Sequence, residues 1–352
     1  MALSLSTTQS KKRNQIVAVD LGARTTKAVY VQRADHGCEL LRYAMLDAPP
    51  AEKAFTPEVL AGHLKAVVEA LGGKTKFLTL SLGVCDSMFR PTELPLMPVN
   101  DMRLMLKFNS KTHFQQDFPD YSFDCHILPP KTPGETPKPN QKWPVLVGGA
   151  KRQLLDDIQS AAKSAGLTPD QVTLGTVSTV NAFELAQPED YSKGAVALVD
   201  IGFKNSTITI LRDGELNLNR VVAIGGDRLT TGLAESMGIS YAEAEGIKIG
   251  MPEEVQSAIV PLLMPLGREL RASIDFFEHQ QDYSIGQVFV SGGSARSNLV
   301  LEALQAEMMI PCHRWNPLAG IKLKLAEPQV AESEQVAPQL AAAIGAALST
   351  LS

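Results

Sequence analysis

Val196-Ala197-Leu198-Val199-Asp200-Ile201-Gly202-Phe203-Lys204-Asn205-Ser206-Thr207 decides how this chain is read. The apolar run 196–199 has the pattern of a strand buried on both faces. Asp200 closes it, Gly202 opens a turn, and the hydroxyls of Ser206 and Thr207 begin a second strand. Moved back by 180 positions, the pattern recurs as Ile16-Val17-Ala18-Val19-Asp20-Leu21-Gly22, followed by Ala23-Arg24-Thr25-Thr26-Lys27 and the strand-like Ala28-Val29-Tyr30-Val31. Asp20 matches Asp200, Gly22 matches Gly202 and Thr26 matches Ser206, without a gap. One such hairpin is an ordinary polar turn. Two of them, one in each half, predict two similar lobes facing each other across a cleft.

The chemistry of the pair follows from the residue types. A glycine turn lets backbone approach a ligand closely. Successive N–H groups in the turn form an anion nest, to which the hydroxyls of Thr25, Thr26, Ser206 and Thr207 add donors. An aspartate beside such a nest repels phosphate unless a cation lies between them. Mg²⁺ suits this, because it keeps several waters and is held by one or two carboxylates plus substrate phosphates. The expectation is therefore a Mg-nucleotide polyphosphate, with Asp20 and Asp200 holding the metal through water.

At 352 residues and 44% hydrophobic content the chain has room for two domains or one bilobed unit with sizeable cores. A net charge of −5 argues against a mainly electrostatic nucleic-acid binder. Lys11-Lys12-Arg13, the one basic cluster, reads as a solvated lead-in. The first ten residues lack the apolar core of a signal peptide, and no run approaches the ~20 apolar residues of a membrane helix. Cys38, Cys85, Cys125 and Cys312 are scattered without a C-x-x-C, which fits reduced cytosolic thiols. The adjacent pairs Cys125-His126 and Cys312-His313 read as structural.

Along the chain, a flexible leader is expected over 1–14. Strands are expected at 16–20, 27–32 and 39–46, with a turn at Asp35-His36-Gly37. A helix over 57–71 is opened by Thr56 and Pro57 and stopped by Gly72-Gly73. A strand over 77–82 completes a βββαβ order. The first lobe is assigned 15–83 and 171–193. Residues 84–170 read as an inserted α+β subdomain. It holds an extended, proline-bound segment to Pro98, a helix capped by Asn100, strands 121–128 and 145–150, a mobile proline-rich loop over 129–144, and a helix over 152–165. A strand over 172–177 and a helix near 179–186 return to the main body. The second lobe, 194–337, opens with strands 195–200, 206–212 and 215–222, the last two joined by the hairpin signal Asp213-Gly214. Gly225-Gly226-Asp227 leads into a helix to 237, and Ser240-x-x-Glu243 is a capping box. Glu245 and Lys248 share one face of the next helix, a spacing equally met in a surface ion pair. Helix 252–280 is expected to break near Pro261 and Pro265. Strand 287–291, Gly292-Gly293-Ser294 and a helix over 295–308 make a strand-end contact of the kind that meets ligands. An Ala-rich helix over 338–352 packs on the core.

These motifs resemble the actin/Hsp70/sugar-kinase superfamily over nearly the whole chain from Ile16, which implies a two-lobed actin-like (ribonuclease-H-like) α/β fold with duplicated βββαβ lobes and an inserted α+β subdomain. The resemblance makes the turn at Asp20, Gly22, Thr25, Thr26 and Lys27 a first phosphate loop. The turn at Asp200, Gly202, Asn205, Ser206 and Thr207 becomes the second. Gly292, Gly293 and Ser294 match the adenosine motif, and Ala244-Glu245-Gly246-Ile247-Lys248 looks like the helix whose Glu and Lys meet the nucleoside in bacterial actins. Within the superfamily, Leu94-Pro95-Leu96-Met97-Pro98, Leu211-Arg212-Asp213-Gly214, Ile224-Gly225-Gly226-Asp227-Arg228-Leu229-Thr230 and Val290-Ser291-Gly292-Gly293 resemble the PilM family of type IV pilus assembly and, more distantly, FtsA of cell division. The position of the insert agrees with both.

The PilM resemblance implies ATP or ADP with Mg, and a cytoplasmic scaffold for a pilus or related secretion machine. It also implies that the insert docks the cytoplasmic tail of an inner-membrane protein, which recruits the chain to the membrane, with self-association as a further property. Two departures stand out. Ala23 lies where PilM-like proteins usually carry Ser, and Phe203-Lys204 is bulkier than the small residues of many relatives. No residue near 178–185 stands out as a water-activating acid or amide, Asn181 being the nearest candidate. Slow hydrolysis is therefore expected. Two alternatives remain open at this point: an FtsA-like division filament, and a small-molecule kinase. The first lacks a basic amphipathic C-terminal helix here, and the second lacks a nominated base.

Overall fold

The computed structural model describes residues 3–5, 13–49, 56–130, 141–250 and 254–351. Two units make up the chain: 1–181 with 342–352, and 182–341. Lys11, Lys12 and positions 131–140 of the proline-rich loop lie outside the described residues.

In the first unit, β1 (Gln15–Leu21), β2 (Thr25–Arg33) and β3 (Cys38–Asp47) form an antiparallel meander. α1 (Pro57–Leu71) then leads to β4 (Phe77–Leu82), parallel to β1. The meander turns at Gly37, whose positive φ of 89° no β-branched residue would adopt readily. α1 forms because Leu60, Leu64, Val67 and Leu71 fall on one stripe, and all four are buried. Each contributes about 1.5–3 kcal/mol through burial. Gly72 ends the helix in the left-handed conformation, φ 59°. Thr56 occupies the N-cap position without a side-chain cap bond. β8 (Thr168–Leu174) pairs parallel to β4, so the strands of this unit run β3-β2-β1-β4-β8.

Between β4 and β8 stand β5 (Ser87–Pro95), α2 (Val99–Phe114), β6 (Tyr121–Ile127), β7 (Lys142–Lys151) and α3 (Arg152–Ser164). β5, β7 and β6 form their own antiparallel sheet in that order, over a core of Met88, Leu94, Met102, Leu106, Phe114, Phe118, Phe123, Val145 and Val147. The proline-bound segment is thus a strand, and Pro91 and Pro95 are tolerated because β5 lies at the sheet edge. α2 begins one residue before Asn100, with Pro98 at the cap, and Asn100 accepts a bond from Arg103 instead. Pro144 extends β7 back into the expected loop. Leu128 N–H donates to Pro144 O at 3.1 Å, and the reciprocal bond that proline cannot make is replaced by Trp143 Nε1 donating to Leu128 O at 2.8 Å. α3, expected within the insert, packs against α1 and β8, so the insert's own core ends at Val147.

Residues 175–177, expected in a strand, open α4 (Gly175–Ala186). Gly175 starts it because a Cβ there would lie 3.0 Å from Leu82 O. The unit boundary falls inside α4, after Asn181 rather than at 193. Phe183 is the reason: it packs edge-on against Phe289 and Trp315 of the second unit's own core. The expected loose leader is also partly ordered. Leu3 and Leu5 are buried, and Leu5 N–H bonds Val172 O at 2.8 Å.

After α5 (Pro188–Ser192) the second unit repeats the plan. β9 (Ala195–Ile201), β10 (Ser206–Arg212) and β11 (Glu215–Val222) are an antiparallel meander. Asp213 and Gly214 turn between the last two with positive φ, 49° and 78°. α6 (Gly226–Met237), α7 (Tyr241–Gly250) and α8 (Gln256–Gln281) follow. β12 (Gln287–Ser291) joins β9 in parallel, and β13 (Cys312–Arg314) joins β12. The order β11-β10-β9-β12-β13 is that of the first sheet, strand for strand. Pro261 and Pro265 do not interrupt α8; Ile259 before them, Leu263 between them, and Leu266, Leu270, Ile274 and Phe277 after them bury its core face. The capping box forms as written: Glu243 N–H bonds Ser240 Oγ at 3.3 Å and Ser240 N–H bonds Glu243 Oε2 at 2.9 Å.

Gly293–Arg296 is a 3-10 turn, and the helix expected from 295 begins only at Asn298, as α9 (Asn298–Met308). α10 (Glu327–Val336) precedes a 3-10 turn over Ala337–Gln339. α11 (Ala341–Leu351) returns the chain to the first unit. Gly345 there lies so close to Ser178 O that no side chain fits.

Candidate functional site

In the first unit, β1 and β2 set Asp20 opposite Lys27 and Leu21 opposite Thr26. Lys27 Nζ lies 3.0 Å from Asp20 Oδ2, both side chains largely buried. A Cβ at Gly22 would stand 2.6 Å from both Lys27 Nζ and Thr25 O, so only glycine leaves room for the lysine to lie along the turn. Thr25 opens β2 at the turn, half-buried. Thr26 departs from expectation. It is 1% exposed, and its hydroxyl meets His63 Nε2 of α1 at 2.7 Å. Burial lowers the pKa of His63 below its ordinary 6.5, so the ring meets the hydroxyl neutral at pH 7.

The second unit sets Asp200 opposite Thr207, the same register as Asp20 and Lys27. Ser291 Oγ, at the end of β12, donates to Asp200 Oδ1 at 2.9 Å. The turn from Gly202 closes on itself through Gly202 N–H to Asn205 O at 3.0 Å. It is also seated on α6: Gly226 N–H bonds Gly202 O and Asp227 N–H bonds Phe203 O, both at 2.9 Å. Gly225 is what permits this approach, since a Cβ there would run into the Phe203 carbonyl. Two N–H groups of the helix N-terminus are therefore spent on the turn. Ser206, like Thr26, points inward, fully buried, its hydroxyl donating to Ile224 O at 2.6 Å. Thr207 is 7% exposed. Both expected hydroxyl donors at the matched positions belong to the sheets, because strand residues facing the core must satisfy their polar atoms internally.

Lys204 Nζ lies 2.7 Å from Asp227 Oδ2, and Tyr241 donates to Asp227 Oδ1 at 2.8 Å. Burial pushes the Asp227 pKa up, but the bonds from Lys204 and Tyr241 and the charges of Lys204 and Lys248 outweigh it and leave the carboxyl below its ordinary value. Burial and then the Asp227 bond push the Tyr241 phenol up to about 12.

One turn along α6 from Gly226 stands Thr230, fully buried, whose hydroxyl donates to Gly226 O at 3.0 Å. It also meets Glu245 Oε2 in a short bond and receives Lys248 Nζ at 2.6 Å. Lys248 Nζ lies 2.7 Å from Glu245 Oε2 and 3.3 Å from Gly226 O. The Glu245–Lys248 pair is thus tied into α6 and largely buried, 14% and 17% exposed, unlike a surface ion pair. A Cβ at Gly226 would sit 3.2 Å from Ser294 Oγ and 4.0 Å from Lys248 Nζ. Gly292 takes φ 89° against the Ile201 backbone and bonds Pro338 O through its N–H at 2.8 Å. Gly293 lies beside Gln339.

Four separated stretches of the second unit therefore converge: the turn 202–205, Gly225-Gly226-Asp227, the Glu245–Lys248 pair, and 291–294. Glycine backbone, a carboxylate, an ammonium and hydroxyls side by side suit a polyhydroxylated, charged ligand. Thr230 and Tyr241 were not singled out as contacts from sequence. Their signals were present, since Thr230 is four residues after Gly226 on the same helix face and Tyr241 opens the helix the capping box starts. Among the described residues no three His, Cys, Asp or Glu side chains cluster to hold a metal unaided. That donor set fits Mg²⁺ taken through one carboxylate, water and phosphate oxygens. The buried thiols of Cys125 and Cys312 are pushed up to about 12 and about 11, chiefly by burial, which leaves them inert.

Two sheets with the same five-strand order, each opened by an Asp-x-Gly hairpin, and the inserted three-stranded subdomain define an α/β protein of the actin-like fold. Solved structures share it: EutJ from Carboxydothermus hydrogenoformans (TM-score 0.55, 15% identity, 97% of this chain and 91% of that one) and MreB 5 of Spiroplasma citri bound to AMPPNP (TM-score 0.51, 10% identity, 95% of each). The chain belongs to the family described as Type IV pilus assembly protein PilM, which it matches over residues 18–351. The structure of a PilM-PilN type IV pilus biogenesis complex is similar over 97% of this chain and 100% of that one, with a TM-score of 0.84 and 21% identity. The cell division protein FtsA of Bacillus subtilis (strain 168) is 29% identical over 103 residues, which span 29% of this chain and 22% of that protein.

Proposed function

We propose that this chain is a nucleotide-binding scaffold of type IV pilus, or related secretion-system, assembly. The convergence of four stretches around Gly226 in the second unit carries the reading. Glu245, Lys248 and Ser294, with Thr230 behind them, would take the nucleoside side of ATP or ADP. The turns at Gly22 and Gly202, with Thr25, Lys27 and Asn205 at or beside them, would each address phosphate through backbone and side-chain donors. Asp20 in the first unit and Asp200 in the second would each meet Mg²⁺ through water, which would screen the carboxylate charge from phosphate. When bound, Mg²⁺ would neutralise phosphate charge. The chain's own part is positioning: Lys27 and Ser291 hold the two carboxylates in place, and Lys204 and Tyr241 fix Asp227 and with it the second turn.

The insert would serve as the docking surface for the cytoplasmic tail of an inner-membrane pilus or secretion protein. Two observations support this. The structurally similar protein is in complex with PilN, and α2 exposes Leu104 and Phe108, 53% and 74% accessible, one turn apart. Among the described residues no helix is long and apolar enough to cross a membrane, so recruitment to the cytoplasmic face would come through that tail.

Calorimetry with ATP, with and without Mg²⁺, tests the site. Wild type should bind, and Asp200→Ala should lose the Mg²⁺-dependent increment while its thermal midpoint holds. A folded wild type without nucleotide affinity would end the reading. Phosphate release should fall far below the ~10 s⁻¹ of a typical enzyme, since Ala23 supplies no hydroxyl at the first turn and Asn181 is 7% exposed. Hydrogen exchange with the tail peptide should protect the insert; protection confined to residues 182–341 would exclude it as the docking surface.

A further inference from the structure

Leu3, Ser4 and Leu5 lie in a groove of the first unit, between the insert and β8. Leu3 is 2% and Leu5 6% exposed, with Ser4 less buried between them, the alternation of an extended segment. On the floor of the groove is Gly148 of β7, where a Cβ would stand 2.6 Å from Leu174 Cδ1 of β8 and 3.7 Å from Leu3 Cδ1. Leu5 N–H donates to Val172 O of β8 at 2.8 Å. Ser4 N–H donates to Asp124 Oδ2 of β6 at 2.6 Å. The lobe thus forms one wall and the insert the other, and each takes a backbone N–H from the segment.

Asp124 is held ready for that bond. It is buried, and its Oδ1 accepts from Arg103 Nη2 and Nε of α2 at 2.6 and 3.0 Å and from Cys125 N–H at 2.8 Å. Oδ2 faces the bound segment. If the segment left without a replacement, a buried carboxylate oxygen would lose its donor, which is costly. The groove therefore favours being filled. What fills it is loosely specified, because main-chain donors carry no sequence information and the anchors ask only for apolar side chains at i and i+2. The present occupant is tethered. Arg13, further along the chain, pairs with Asp170 of β8 at 2.6 Å and lies over the Phe77 ring at 3.7 Å. A tethered occupant acts at an effective concentration of order millimolar. It weakens any competitor in proportion to the fraction of molecules whose groove is open.

We propose that this groove is where the insert takes the extended tail of its partner, and that residues 3–5 occupy it as an intramolecular competitor which the tail displaces. The tail segment carries apolar residues at i and i+2, and the residue between them has a free backbone N–H for Asp124. The inference rests on the docking reading of the insert and gives that reading a particular surface and a means of regulation.

The test uses the full chain and a fluorescein-labelled peptide with the sequence of residues 2–8. The double substitution Leu3→Asp/Leu5→Asp should empty the groove. Fluorescence anisotropy should then show the labelled peptide binding this variant roughly tenfold or more tighter than wild type. Ser4→Pro in the chain, which removes the N–H and leaves both leucines, should act in the same direction and provides a second variant. N-methylation of the peptide at Ser4 should weaken its binding roughly tenfold. The partner's tail peptide should displace the labelled peptide and should itself bind the double variant more tightly than wild type. Failure of the labelled peptide to bind either folded variant, or equal binding to wild type, would overturn the proposal. So would a tail peptide that protects the insert in hydrogen exchange without displacing the labelled one. Protection of Leu5 that rises with protein concentration would assign the occupant to a second copy and overturn it as well. A tail peptide that protects no part of the insert would instead overturn the docking reading beneath the proposal, so the two failures are distinguishable.

Discussion

Lys204 Nζ stands 2.7 Å from Asp227 Oδ2, so the turn after β9 is tied by a side-chain pair to the first turn of α6, onto which its backbone already bonds. The acid also sits where a helix dipole favours negative charge. The pair is thus a clasp that shapes the turn.

The clasp has a pH signature. Because the folded Asp227 carboxyl holds its proton less tightly than in the unfolded chain, its contribution is complete above the ordinary value of 3.8 and is lost as pH falls below that, through the depressed native value. Lys204→Met should raise the Asp227 pKa, measured by NMR titration. It should cost no more than about 1 kcal/mol at pH 7, since the pair is partly exposed.

Thr230→Val should separate packing from chemistry. The hydroxyl is fully buried and serves Gly226 O, Glu245 and Lys248. Its removal should cost about 1–3 kcal/mol in urea denaturation, because partners are left unsatisfied, and ATP affinity measured by calorimetry should fall with it. Unchanged affinity in the folded variant would separate this cluster from the ligand.

Gly37 and Gly292 share φ 89° but not surroundings: a Cβ at Gly37 meets nothing within 4 Å, whereas one at Gly292 would strike the Ile201 backbone. Gly37→Ala should cost about 1–2 kcal/mol, the conformational penalty alone. Gly292→Ala should cost roughly 3 kcal/mol or more, read from denaturation midpoints.

Trp143→Phe should cost about 1–3 kcal/mol. It strips Leu128 O of the indole donor that stands in for the N–H missing at Pro144. Exchange at Leu128 and its neighbours should quicken before any change elsewhere.

The duplicated hairpins were legible in sequence because both signals are local. A short apolar run, an Asp and a Gly at fixed spacing dictate strand and turn wherever they occur, and α1 runs from Pro57 to Leu71 as its stripe, proline and glycine require. The family resemblance rested on the same local signals. What sequence could not decide was the use of each polar side chain. Thr26 and Ser206 read as ligand donors, yet burial in the sheets commits them to His63 and Ile224. Glu245 and Lys248 read equally as a surface pair, and only the packing of α7 on α6 brings them to Thr230 and Gly226. Pro261 and Pro265 read as breaks, yet α8 runs through them, its core contacts on either side outweighing the local penalty of about 3 kcal/mol for each proline. Local propensity and periodicity act over one turn or one strand and are written in neighbouring residues. Hydrogen-bond allegiance and burial depend on residues dozens of positions away, and so are settled only when the chain has folded.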